Sequence, residues 1–367
     1  MDDNLIIDGN YLEGGGQIVR TSLALSTILQ KPFIIENIRK GRSEGGLKHQ
    51  HLYCIKALEQ LCNAKATGAE LGSTKLEFYP NKLLPKNLNV DVETAGSVSL
   101  LLQAVLLPCL FAEKKTRIKI HGGTDVKWAM PVDYLKEIFL PQLRRYCNSI
   151  EAKIIRRGYY PRGNGQIEII IQPKYSLAKF NSQEEFFEKV ESESQKISLA
   201  EQGHLIHIKG VSHSSADLQH QQVAERQAEE AKHSLLKLNC PVNIRTEYSE
   251  ALSTGSGIAL WAIFSEDKDE ISFANPIILG ADSLGERGKR AEIVGKEAAE
   301  SLIKEILSKA PVDSHLGDNL IPFIGLFGGK INVSEITNHT LTNIYTAERF
   351  LGKRFNIDEL NKVISAE

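Results

Sequence analysis

Apolar and polar positions recur along this chain in blocks that predict a regular order of strands and helices. Leu5–Asp8 alternates as a half-buried strand does, a Gly-rich stretch follows, and Gln17–Leu29 carries apolar residues at helical spacing. A strand at Phe33–Asn37, a helix at Leu47–Leu61 and strands at Lys65–Gly68 and Lys75–Tyr79 complete the first block. Residues 88–172 repeat that order, with a strand at Asn89–Glu93, the apolar helix Val98–Phe111, a strand at Arg117–His121 and a helix at Val132–Tyr146. Strands at Ile150–Arg156 and Gln166–Ile171 close the second block. Residues 313–367 hold a partial third copy, in which a helix after Asp313 leads to a strand at Lys330–Ile336 and then to a helix containing His339. A βαβαββ unit of roughly 80 residues, repeated in element order, predicts a layered α/β protein.

Between the second and third copies the pattern changes. Residues 182–202 are polar and acid-rich, which predicts a linker or a solvated helix. A strand at His204–Val211, a long helix at Asp217–Leu238, strands at Val242–Tyr248, Gly257–Phe264 and Ser272–Ala281, and a helix at Arg290–Lys309 follow. Residues 184–309 are therefore expected to be an inserted small domain, with residues 1–183 and 310–367 forming the larger one. The alternative is that the segment extends the same sheet.

Composition narrows the partners. The chain has 367 residues, enough for a sizeable core, and its 42% hydrophobic and 25% charged content is ordinary for a soluble protein. A formal net charge of -2 excludes a global basic field, so RNA or DNA would be held locally, by one end. The five cysteines lack C-x-x-C spacing, which points to reduced thiols in a cytoplasmic protein and away from a disulfide framework or zinc site. Met1–Asn4 is acidic and unlike a signal peptide, and the apolar run Leu100–Phe111 is far shorter than the ~20 residues of a membrane span.

Candidate chemistry gathers at the corners between strands and helices. Glu13-Gly14-Gly15-Gly16-Gln17 leads into a helix with Arg20 one turn in, so backbone N–H groups can approach an anion closely. The spacing is neither G-x-x-x-x-G-K-[ST] nor a full G-x-G-x-x-G, and a plain tight turn is the alternative reading. Glu13 offers carboxylate oxygens suited to Mg²⁺. Arg39 and Arg42, three apart in a Gly-rich loop, can grip phosphate through guanidinium forks, and Gln50 and His51 fall in the first turn of the next helix. His49 and His51 lack metal-type spacing and have no nearby cysteine, which excludes zinc there. Gln103 is a lone amide in an apolar helix.

Gly122-Gly123-Thr124-Asp125, followed by Trp128-Ala129-Met130-Pro131, and His315-Leu316-Gly317-Asp318-Asn319 form two further corners. Asp318 can accept from a ribose, orient a histidine or cap a helix. His339 lies in or just before the first turn of a helix capped by Thr337 or Asn338. Free N–H groups and the helix dipole favour anions there, and a neutral histidine beside them is a candidate nucleophile toward phosphorus. The alternative is a histidine that merely helps cap the helix. Several such corners together favour one anion-binding cleft.

Taken together, these stretches resemble the RNA 3'-terminal phosphate cyclase family. The matching pieces include Asp8-Gly9 with Glu13–Gln17 and Arg20, Ile38–Arg42, Gly46-Leu47 with Gln50-His51-Leu52, Gly122–Val126, Arg157–Gly163, Leu284–Lys289, and His339 with Leu341–Ile344. The resemblance implies a large domain of three βαβαββ repeats interrupted by a smaller thioredoxin-like α/β domain. It implies ATP-dependent conversion of an RNA 3'-phosphate end to a 2',3'-cyclic phosphate, through a covalent histidyl-AMP and an RNA-ppA intermediate. His339 matches the nucleophile and Glu13 the ligand of Mg²⁺ or Mn²⁺. Arg20, Arg39, Arg42, Gln50 and His51 match the phosphate and RNA-end set, and Gln103, His315, Leu316, Gly317, Asp318 and Asn319 the ATP side. RNA with a 3'-phosphate and ATP are the implied partners, with homodimerisation left open. Departures from the pattern occur at His315, Asn319, Met130, Asn164 and Gly45, and bear on nucleotide selectivity. A non-catalytic, RNA-binding ribosome-assembly relative is the alternative; those relatives lack the histidine.

Overall fold

The computed structural model describes residues 5–267 and 272–367, and among these the strands form four mixed four-stranded sheets. In the first sheet Leu5–Asp8, Phe33–Glu36, Leu76–Tyr79 and Lys65–Thr67 lie side by side in that order. Leu5–Asp8 and Phe33–Glu36 are parallel, so the chain must cross over between them, and the helix Gln17–Leu29 makes that crossing. Leu88–Asp91, Thr116–Gly122, Gly165–Pro173 and Cys147–Arg156 build the second sheet in the same spatial order of first, second, fourth, third.

A third sheet shares this order, and its first strand is Ile197–Leu199, parallel to Gly329–Asn332. Val363–Ala366 and Phe355–Asp358 complete it. The acid-rich stretch expected as a linker or solvated helix thus holds a paired strand and, before it, the helix Gln183–Glu193. Phe186 and Val190, one turn apart, are fully buried, and Phe186 meets Phe111 edge-on with ring centroids 5.3 Å apart. Phe187 adds a partly buried contact, its ring centroid 6.0 Å from that of Phe327, and the rest of the helix is polar apart from these three residues.

The fourth sheet runs Val242–Ser249, His204–Ser215, Ser256–Ser265, Ile277–Leu284, and every residue of Ser256–Ser265 is buried. The strand expected at 272–281 begins at Ile277, after Pro276, which has no N–H to give a ladder. Helices Val223–Leu235 and Ala291–Leu307 pack on this sheet, and the segment Val132–Tyr146 approaches it at Gly280, where a Cβ would lie 2.2 Å from Ile138. That segment is helical, as its periodicity predicts, but it includes a π-helical turn over Leu135–Phe139 and a 3₁₀ turn over Arg144–Tyr146. Pro141 has no N–H to donate within it, while its carbonyl accepts the Arg144 N–H.

Candidate active site

Thr337 caps the helix Asn338–Leu351: its hydroxyl accepts the Thr340 N–H at 3.0 Å and the Thr340 hydroxyl accepts the Thr337 N–H at 3.2 Å. Both hydroxyls converge on Asp318 Oδ1, at 2.8 and 2.5 Å, and the Asn343 amide donates to the Asp318 carbonyl at 2.7 Å. Asp318 therefore clamps the start of this helix to the helix Ser314–Phe327. His339, second residue of the clamped helix, keeps its side chain 48% exposed, with Nε2 3.4 Å from Glu13 Oε2. The same Glu13 oxygen accepts from Arg42 Nη2 at 2.8 Å, which brings three elements distant in sequence to one point.

Behind Glu13 the Gly-rich loop forms a cradle of unanswered donors. Gly16 ends it as N-cap of Gln17–Leu29, and no side chain caps that helix. A Cβ on Gly16 would fall 2.0 Å from His51 Nε2 and 3.1 Å from Arg20 Nη1, so only glycine fits. The Lys48 N–H donates to His51 Nδ1 at 2.9 Å, which leaves the ring hydrogen on Nε2, an atom buried without a hydrogen-bond partner among the described residues. Burial first, then Arg20, Arg39 and Lys48, push the His51 pKa down to about 3, so the ring stays neutral. Arg39 Nε is likewise buried and unpartnered. Buried N–H groups without acceptors are uncommon, and here they surround a helix N-terminus, which is what a bound phosphate requires.

A polar relay leads away from the cradle. Arg20 Nε donates to Gln103 Oε1 at 2.8 Å, Gln103 Nε2 to Asn319 Oδ1 at 2.8 Å, and Asn319 Nδ2 to the His315 carbonyl at 2.7 Å. Burial, and beyond it Arg39, pull Arg20 down to about 10, still charged at neutral pH. Arg20, Gln103, His315, Asp318, Asn319 and His339 line one cavity of about 410 Å³. Trp128, Met130, Tyr134 and Asp282 line its other side. The His315 ring stands edge-on to Tyr134, with centroids 6.4 Å apart, and the Tyr134 hydroxyl donates to Asp313 at 2.5 Å. Burial lifts the Asp282 carboxyl to about 6, a rise that Asp125 and Asp313 increase and His315 opposes.

The expected site residues divide cleanly by position. Glu13, Arg39, Arg42 and His51 gather at the Gly-rich loop; Arg20, Gln103, His315, Asp318, Asn319 and His339 share the cavity. Leu316 is buried in the core and Gly317 packs against Val333, so neither lines the cavity. Gln50 borders a separate, larger groove. Tyr134 and Asp282 escaped the sequence, since neither sits in a glycine-marked corner.

A second cluster draws on two stretches noted in the sequence, Gly122–Asp125 and Arg157–Gly163, whose convergence with Asp133, His213 and Glu247 the sequence did not reveal. Arg157, 1% exposed, places Nη1 2.7 Å from Asp133 and 3.3 Å from Asp125, and Nη2 2.8 Å from Glu247. His213 bridges Asp125 at 3.2 Å and the Tyr159 hydroxyl at 2.9 Å. Burial alone would raise the Asp125 carboxyl, yet His213 and Arg157 hold it well below the carboxylate range. Asp125, Asp133 and His213 converge closely enough to hold a metal ion, but Arg157 already supplies the positive charge there. This lattice ties the 242–249 and 204–215 strands to the corners of the second sheet.

An α/β fold with an exposed histidine facing a Gly-rich helix N-terminus and unpaired buried donors suits the class of proteins that handle phosphorylated ligands. A family model for RNA 3'-terminal phosphate cyclase matches residues 11–357, and the chain belongs to that family. A relative from Pyrococcus abyssi described as RNA 3'-terminal phosphate cyclase is 44% identical over 354 residues, covering 96% of this chain and 95% of its own. One of the same description from Archaeoglobus fulgidus is 40% identical and covers 98% of both chains. One from Saccharolobus islandicus is 42% identical over 353 residues, covering 96% of this chain and 95% of its own. No helix among the described residues is long and apolar enough to cross a membrane.

Proposed function

We propose that this chain converts RNA 3'-phosphate ends to 2',3'-cyclic phosphates at the expense of ATP, with His339 as the nucleophile. The observation that carries the reading is the half-exposed His339 ring, held by a clamped helix start at the mouth of the cavity and 3.4 Å from Glu13. ATP occupies the cavity, its adenosine beside His315, Gln103 and Asn319, and its phosphates reach toward Arg20 and the Gly-rich loop. The imidazole attacks the α-phosphorus; an N–P bond forms as the bond to pyrophosphate breaks, and the electron pair leaves with pyrophosphate. The RNA 3'-phosphate, gripped by Arg39, Arg42 and His51, then takes the AMP from nitrogen, giving RNA-ppA. The adjacent 2'-OH attacks the phosphorus of the RNA's own 3'-phosphate, closes the ring and expels AMP as the O–P bond to it breaks; being already in place, it gains most of its rate from positioning.

Mg²⁺ fits at Glu13, a partly exposed carboxylate facing the phosphate cradle, because that ion binds through one or two carboxylates plus substrate phosphates. It would neutralise phosphate charge there. Asp318 acts through the helix it clamps and is a positioning residue. The shared order of three sheets supports three repeats forming one large domain (1–183 and 310–367), interrupted by a small one (184–309) whose strand Ile197–Leu199 pairs back onto the larger.

The test uses an RNA oligonucleotide ending in a 3'-phosphate, incubated with ATP and Mg²⁺. The expected product resists phosphatase, and His339→Ala forms none while keeping its circular dichroism spectrum. Cyclisation by that variant at the wild-type rate would overturn the proposal.

A further inference from the structure

A second groove of about 910 Å³ opens beside the cavity. Both are bordered by Leu100 and Trp128, and the groove reaches Gln50, the neighbour of His51 in the phosphate cradle. Two rings stand in it almost uncovered: Trp128 is 94% exposed and Tyr160 77% exposed. A single exposed apolar side chain is ordinary, but two aromatic rings on one groove mark a surface that takes a partner. The Trp128 backbone has a φ of 62°, a left-handed conformation that a bulky residue adopts only when its surroundings hold it there. Tyr160 follows Tyr159, whose hydroxyl is fixed 2.9 Å from buried His213. Both rings are thus presented from anchored corners. Lys127 and Arg287 also border the groove, although Lys127 is paired with Glu286 at 3.1 Å.

We propose that this groove receives the single-stranded RNA immediately behind the terminal phosphate, with its bases stacked on Trp128 and Tyr160. The inference rests on the function proposed above. Its occupant follows from continuity: a strand whose last phosphate lies at His51 and Arg20 must leave past Gln50, since ATP fills the smaller cavity. Charge points the same way. With a formal net charge of -2 the chain has no global basic field, so beyond the last phosphate stacking adds to the charge that Arg287 and the paired Lys127 bring. Every base has a π-face, so the expected specificity is for unpaired ends of any sequence, whereas a paired end keeps its bases in the duplex and cannot use the rings.

The experiment compares kcat/KM for one-nucleotide and four-nucleotide RNAs carrying a 3'-phosphate, with ATP-dependent labelling of the protein measured in parallel. Wild type is expected to favour the longer RNA. Tyr160→Ala is the decisive variant, because Tyr160 borders only the groove. It should reduce the length preference roughly five- to hundred-fold, mostly through KM, and Tyr160→Phe should restore it. Trp128→Ala should reduce it similarly. A length preference surviving in both alanine variants, or missing from wild type that labels and cyclises, would overturn the groove assignment alone. A wild-type protein that neither labels nor cyclises would overturn the proposed function and this inference with it.

Discussion

Replacing Gly16 with alanine tests the phosphate cradle with a single methyl group. Its Cβ would lie 2.0 Å from His51 Nε2, against an ordinary contact of about 3.5 Å, so something must move by roughly 1.5 Å. His51 cannot easily retreat, being fully buried with Nδ1 held by the Lys48 N–H. Overpacking of this kind costs about 1–3 kcal/mol, which a chain of this size tolerates as a fold. The consequence for chemistry is larger, since a displaced donor no longer meets the phosphate, and loss of one preorganised donor lowers rates by roughly 10²–10³-fold. Steady-state cyclisation of a 3'-phosphate RNA measures this, with thermal unfolding as the control for folding. His51→Ala should lose a similar factor by removing the donor itself. In the double variant the 2.0 Å clash is gone and only the milder approach to Arg20 Nη1 at 3.1 Å remains, so its activity should lie near that of His51→Ala and not fall to the product of the two losses. Wild-type activity in Gly16→Ala, or multiplicative losses in the double variant, would refute the cradle as described.

Three further outcomes are expected. His51 stays neutral in the fold to about pH 3 but takes up a proton near 6.5 when unfolded, so stability should fall as pH drops through that window, by about 2 kcal/mol at pH 5. Urea unfolding should show a steeper loss below pH 6.5 in wild type than in His51→Gln; parallel curves would contradict the burial of that ring. Arg157→Met should cost about 3–5 kcal/mol in urea unfolding, because it leaves Asp125 and Asp133 buried without their cation; a loss below about 1 kcal/mol would show the lattice to be slack. Asp318→Ala removes an acceptor shared by two hydroxyls at the His339 helix start, so it should destabilise by about 2–4 kcal/mol and slow histidine adenylylation more than tenfold. Labelling at the wild-type rate would deny the clamp its positioning role.

Much of the fold can be read from periodicity. Gln17–Leu29 has the bounds its apolar spacing predicts, and the paired strands of the first two sheets fall within a few residues of theirs. Ile197–Leu199 could not be found that way: three residues are too few for a period, and the partner strand lies some 130 residues on, from Gly329. For Gln183–Glu193 the acid-rich composition left a linker and a solvated helix both open, and its core contact is confined to Phe186, Phe187 and Val190 amid acids. Among the candidate residues, glycine-marked corners pointed to Glu13, Arg20, His51 and His315, and the capped start of an amphipathic helix to His339, because close backbone approach and helix caps leave a compositional trace. The Arg157 lattice left only a partial trace, in the Gly-marked corner of Asp125 and the Arg157–Gly163 stretch, and Asp133, His213 and Glu247 gave none. Its members come from five separate stretches, and only the packing of the 204–215 and 242–249 strands against the second sheet makes them neighbours.

The most direct measurement is to incubate the protein with ATP and Mg²⁺, digest it, and locate the adenylyl group by mass spectrometry under alkaline conditions that preserve a phosphorus–nitrogen bond. The adduct is expected on the peptide holding His339, and on its imidazole. An adenylyl group mapped to a lysine or to another histidine, or no adduct in protein that still cyclises RNA, would contradict the assignment of His339.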